Sequence, residues 1–123
     1  MKNELVIQLD PGRREFRPGE TLSLIVGWQL DTQPESAEAR LFWHTEGKGS
    51  GDIQIVETDV LHQPKMSEER KIGFQLPNAP YSYNGRLVSI KWAVELVVEP
   101  GSHSKLVEFS LSADGRALQP QIQ

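Results

Sequence analysis

Cysteine is absent from this 123-residue chain. No disulfide can form, no thiol can serve as a nucleophile, and no thiolate can hold a metal. The absence is compatible with a reducing compartment. Long apolar runs are also missing. No stretch approaches the ~18 apolar residues that cross a bilayer as a helix, and no apolar segment follows a basic start as in a secretory leader. The expected address is cytoplasmic. A basic stripe is lacking too. The net charge is −4 with a pI near 5.4. The densest basic pair, Arg13-Arg14, is flanked by Glu15. Neither nucleic acid nor direct membrane insertion is expected of such a surface.

What the chain has is alternation. Leu22, Leu24, Val26, Trp28 and Leu30 fall on one parity, with Thr21, Ser23 and Gln29 on the other. Val88, Ile90, Trp92, Val94, Leu96 and Val98 repeat the pattern against Ser89, Lys91 and Glu95. Period two with one wet face marks a half-buried strand. Shorter runs agree: Leu5, Ile7 and Leu9; Ile72, Phe74 and Leu76; Val107, Phe109 and Leu111. Leu41 and Trp43 share one parity, against Arg40, Phe42 and His44. Over residues 53–61 the parity breaks. Ile53 and Ile55 fall on one side, Val56 and Val60 on the other, which predicts a β-bulge.

Turn residues punctuate these runs, at Pro18-Gly19, Gln63-Pro64, Pro77 to Gly85 and Pro100-Gly101. Seven or eight short strands without a helical period predict an all-β, two-sheet antiparallel sandwich of immunoglobulin-like type. The length predicts a single domain over residues 1–118 with a short polar tail at 119–123.

Catalytic patterns are thin. The three histidines, His44, His62 and His103, follow no metal-ligand spacing, and no serine sits in a Gly-x-Ser-x-Gly elbow. Gly47-Lys48-Gly49-Ser50-Gly51-Asp52 differs from a phosphate loop because Gly follows the Lys and a strand follows the loop. Glu57 and Asp59 lie two apart on one strand face, the pattern of a solvated face. No catalytic residue, metal or cofactor is expected. Trp28 and Trp92 lie on apolar parities and belong to the core, whereas Trp43 and Phe42 compete for it.

Two longer constellations stand out. Phe16-Arg17-Pro18-Gly19-Glu20-Thr21-Leu22 is a tight turn launching a strand. Phe74-Gln75-Leu76-Pro77 leads through Pro80-Tyr81-Ser82 and Tyr83-Asn84-Gly85 into Ile90-Lys91-Trp92-Ala93-Val94. Here Pro77 ends a strand, Pro80 keeps the connector extended, and Asn84-Gly85 is expected to supply a positive-φ turn. The order of these elements resembles the arrestin-like β-sandwich family of arrestins, arrestin-domain trafficking adaptors and the retromer Vps26 subunit. The resemblance covers roughly residues 5 to 112 and implies a single lobe of that fold. It implies an adaptor or scaffold that binds another protein. The family's phosphate-reading basic pair and its PPxY and clathrin-box segments have no counterpart in this sequence.

The expectation is therefore a non-enzymatic protein-interaction domain. The partner is a protein, and a strand edge offers a route to a homo-oligomer. The residues expected at the contact are Tyr81, Ser82, Tyr83, Arg86, Trp43 and Lys48, within the connector 78–86 and the loop 46–52. The alternatives are a carbohydrate-binding module with Trp43 and Tyr83 as its platform, a structural subunit of a larger assembly, and a small enzyme joining His44 or His62 to Glu57.

Overall fold

Each alternating run forms a strand in the computed structural model, which describes residues 3–9, 13–47, 51–85, 88–101 and 103–113. The elements are β1 (Glu4–Leu9), β2 (Glu15–Phe16), β3 (Thr21–Gln29), β4 (Ser36–Gly47), β5 (Ile53–Val60), β6 (Ser67–Gln75), β7 (Tyr83–Asn84), β8 (Val88–Glu99) and β9 (His103–Leu111). Seven are long, as expected, and β2 and β7 are two-residue additions. Among the described residues no helix is long and apolar enough to cross a membrane. The tail at 119–123 and the end of the expected domain lie outside the described residues.

The strands form two sheets. One runs β1-β3-β6; the other runs β2-β9-β8-β4-β5, with β7 pairing the start of β8. All pairings are antiparallel except β2 with β9, a short parallel contact that the sequence pattern did not announce. The core lies between the sheets. Leu22, Leu24, Val26 and Trp28 of β3 face Ala37, Ala39 and Leu41 of β4 and Trp92, Val94, Leu96 and Val98 of β8 within one buried cluster. The parity assignments hold, except that Val88 and Ile90 run out of the core at the start of β8.

Both core tryptophans use their polar edge. The Trp28 indole N–H donates to the Lys65 carbonyl at 2.6 Å, and the Trp92 indole N–H donates to the Pro80 carbonyl at 2.7 Å. A buried indole needs such a partner. Each bond also ties a connecting segment to the core. Trp92 sits against Phe109, with ring centroids 5.9 Å apart, and Phe109 meets Phe16 edge-on at 5.6 Å.

The Pro18-Gly19-Glu20 turn is explained residue by residue. Gly19 has φ 81°, the third position of a type II turn, and Glu20 N–H donates to the Arg17 carbonyl at 3.2 Å. Gly19 N–H donates to the Leu76 carbonyl at 3.1 Å, and Leu76 N–H donates to the Glu20 carbonyl at 2.9 Å. The turn thus joins the start of β3 to the end of β6. The Glu20 carboxylate accepts both Arg13 guanidinium nitrogens, at 2.8 and 2.6 Å, and the Arg17 N–H at 2.6 Å. Arg13 in turn lies 4.6 Å over the Phe16 ring.

Two outcomes follow. Trp92→Phe leaves a void and an unpartnered Pro80 carbonyl, so urea denaturation should give a loss of about 3 kcal/mol. The Arg13 guanidinium, and then the Arg17 amide, hold the Glu20 carboxyl below its ordinary value of 4.5. A lowered folded-state pKa adds stability that is complete above 4.5 and fades as pH falls through the lowered value. The melting temperature should therefore decline on acidification below that point. Glu20→Gln should decline less steeply over the same window.

Candidate functional site

The connector from Leu76 to Gly85 is fastened rather than free. Ser82, expected at the contact surface, is instead buried. Its N–H donates to the Leu111 carbonyl at 2.7 Å, and its Oγ accepts the Leu111 N–H at 2.9 Å. That reciprocal pair fixes the connector across the end of β9. Tyr81 and Tyr83 are half-buried, and Tyr83, in β7, pairs with Ile90 of β8. Gly85 does not adopt the expected positive φ. Glycine is needed there for space, because a Cβ would lie 2.5 Å from both the Tyr83 ring and the Val88 carbonyl oxygen. Arg86 lies outside the described residues, as does Lys48 in the other expected contact loop. That loop closes where Thr45 N–H meets the Asp52 carbonyl and Asp52 N–H meets Thr45 Oγ1, both at 2.9 Å. Trp43 is half-buried and packs against the core, and Phe42 is buried on the opposite face. Trp43 and Tyr83 therefore do not stand out as a flat, exposed platform.

The outer face of the larger sheet carries a charged group that no linear spacing revealed. Cross-strand partners share a face. His44 opposes Lys91, and Phe42 opposes Ala93, which opposes Glu108 on β9. His44 Nδ1 lies 3.8 Å from Glu46, and its Nε2 lies 3.7 Å from Glu108. One ligand atom from each residue falls within 4.8 Å of the others, so the trio has the size of a metal-binding set. Lys91 Nζ, however, lies 3.1 Å from Glu46 and already neutralises it. The Glu46 carboxylate raises the Lys91 pKa by accepting its hydrogen bond. The group is a surface ion network in which ammonium takes the cation's place. Beside it lies an open cleft of about 200 Å³ lined by Arg14, Ile90, Lys91, Glu108, Phe109 and Ser110, with Ser82 beneath. Glu57 is not part of this group. It opposes Leu41 and so lies on the other face of the sheet from His44.

The third surface is β5. The register jumps from Leu41 opposite Glu57 to Phe42 opposite Ile55, leaving Val56 without a partner on β4. This is the bulge that the broken parity predicts. It brings Ile53, Ile55, Thr58 and Val60 to the outer face, opposite His44, Phe42, Arg40 and Glu38. Gln54, Glu57 and Asp59 take the inner side, opposite Trp43, Leu41 and Ala39. No β5 side chain is buried. Ile53 is 70% exposed, Val60 51%, Ile55 47% and Val56 42%. The edge has no lysine, arginine or proline; its protection is the bulge and the inward carboxylates Glu57 and Asp59, and neither covers the apolar outer row. The two edges of the smaller sheet carry cationic contacts. On β6, Glu68 and Arg70 pair at 2.5 Å, and Arg70 also reaches the His62 carbonyl. On β1, the Lys105 ammonium reaches the Leu5 carbonyl at 3.4 Å.

Fold and surface together define a two-sheet β-sandwich with one edge strand, β5, that leaves four apolar side chains exposed. No protein-family model and no curated protein sequence matches the chain. Among solved structures it is similar to the sporulation control protein Spo0M from Bacillus subtilis. The TM-score is 0.68 at 14% identity, over 90% of this chain and 49% of that one. The chain thus spans about half the length of Spo0M. At that identity the likeness speaks for the fold alone, a two-sheet β-sandwich as the strand pattern predicted. A β-glucosidase from Listeria innocua aligns with a TM-score of 0.47 at 17% identity, over 95% of this chain and 16% of that one. A score that low carries no argument.

Proposed function

We propose that the chain is a non-enzymatic protein-interaction domain, an adaptor or scaffold of arrestin-like type, and that it engages its partner through the β5 edge. The observation that carries this reading is the edge strand Ile53–Val60, which has no cationic side chain and leaves four apolar side chains in water. A partner strand laid along it gains a ladder of main-chain hydrogen bonds, and its side chains meet Ile53, Ile55 and Val60. Burying these β-branched residues contributes about 1.5–3 kcal/mol each, at full burial. The frame behind the edge is rigid, since β4 pairs with β8 along its whole length. A rigid edge loses little entropy on binding.

The alternatives have less support. A sugar platform is disfavoured because Trp43 packs against the core. An acid-base site joining His44 to Glu57 is disfavoured because the sheet separates them. The absence of cysteine and the acidic surface fit a cytoplasmic protein partner rather than nucleic acid or membrane.

The test is comparative capture. Ile53→Lys/Ile55→Lys changes only exposed positions, so thermal stability should stay within about 0.5 kcal/mol of wild type. Cross-linked affinity capture from native lysate should recover a stoichiometric protein with the wild-type chain. The double variant should recover at least tenfold less. Equal recovery by both would contradict the reading.

A further inference from the structure

We infer that the β5 edge pairs with the β5 edge of a second copy of this chain, about a two-fold axis between Val56 and Glu57. The inference rests on the strand-edge reading above and names its partner. It begins from a geometric requirement. When two sheets join edge to edge about a two-fold axis normal to the sheet, opposed residues must lie on the same face. In a strand without a bulge, residues separated by an odd number lie on opposite faces. Across the β5 bulge they do not. Ile53, Ile55, Thr58 and Val60 share the outer face, and Gln54, Glu57 and Asp59 share the inner one.

That distribution selects a register. With the axis between Val56 and Glu57, Ile53 opposes the partner's Val60 and Ile55 opposes the partner's Thr58, all on the outer face. Gln54 opposes the partner's Asp59 on the inner side. Every pair outside the bulge matches in face, and no carboxylate directly opposes another. Centring the axis on Val56 places Ile53 against Asp59 and mismatches the faces. Centring it on Glu57 sets two glutamates against each other. Moving it between Ile55 and Val56 places Asp59 against Asp52. Like charges directly opposed on paired strands are destabilising. Only the first register brings the exposed Ile53 and Val60, 70% and 51% accessible, together at both ends of the ladder. It also joins two five-strand paths into one continuous sheet without an apolar edge between them. In that register the two Glu57 carboxylates lie diagonally across the axis and repel.

The absence of cysteine makes the test clean. Ile53→Cys and Val60→Cys are made as separate variants, checked for folding by circular dichroism, mixed, and oxidised mildly. Opposed cross-strand Cα atoms lie about 4.5–5.5 Å apart, within disulfide range. The mixture should yield a disulfide-linked heterodimer. Either variant alone should not, because equivalent residues would stand about 20 Å apart. Sedimentation of the wild-type chain should show a reversible dimer of the 13.9 kDa monomer. Glu57→Gln should tighten it about threefold by removing the diagonal repulsion. Equal cross-linking of the single variants and the mixture overturns the register. A wild-type chain that stays monomeric at every concentration overturns self-pairing. If Ile53→Lys/Ile55→Lys still loses its captured protein in that case, the edge binds a different chain. If capture is also unchanged, the strand-edge reading falls with it.

Discussion

Three strands cannot cover five. The β1-β3-β6 sheet meets the larger sheet at β9 through β1, and β8 and β4 supply Trp92, Val94, Leu96, Ala39 and Leu41 to the dry core between them. It does not reach β5, and every β5 side chain remains in contact with water. The chain has adapted to this on one side only. The inner residues of β5 are Gln54, Glu57 and Asp59, as suits a face with no sheet over it. The outer residues Ile53, Ile55 and Val60 are as apolar as a covered face would require. That mismatch between exposure and composition sets β5 apart from the β6 edge, whose exposed residues are mostly charged.

The edge strand is held by β4, which pairs along its whole length with β8. Trp92 sits at the centre of the larger sheet and holds the Pro80 carbonyl, while Ser82 exchanges two hydrogen bonds with Leu111. At the same end, Glu20 gathers Arg13 and the Arg17 amide, and the Gly19 turn ties β3 to β6. The segments that carry the arrestin-like resemblance are therefore the ones that close the sandwich. They do so by capping strands and satisfying buried polar groups. This is why they speak for the fold and are silent about a partner.

How far the sequence could be read follows from the range of each signal. Strand faces depend on neighbours two apart, so Leu22 to Trp28 and Trp92 to Val98 were legible. The break between Ile55 and Val56 was legible as a bulge for the same reason. Whether β5 would be an edge was not, because that depends on which strands pair across the whole chain. The gathering of His44, Glu46, Lys91 and Glu108 was hidden too, since it spans β4, β8 and β9. Ser82 looked like a surface residue because nothing near it in sequence announces Leu111. Gly85 was assigned to a turn conformation, whereas its constraint is the approach of Tyr83 and Val88.

A partner bound along the β5 edge would cover its main-chain amides. Amide hydrogen exchange reads it directly, comparing the dilute isolated chain with its native complex. Exchange across Ile53–Val60 should slow in the complex, while the opposite sheet's edge Ser67–Gln75 should exchange at an unchanged rate. Protection confined to Ser67–Gln75 or to the connector 76–85, with Ile53–Val60 unaltered, would contradict binding at the β5 edge.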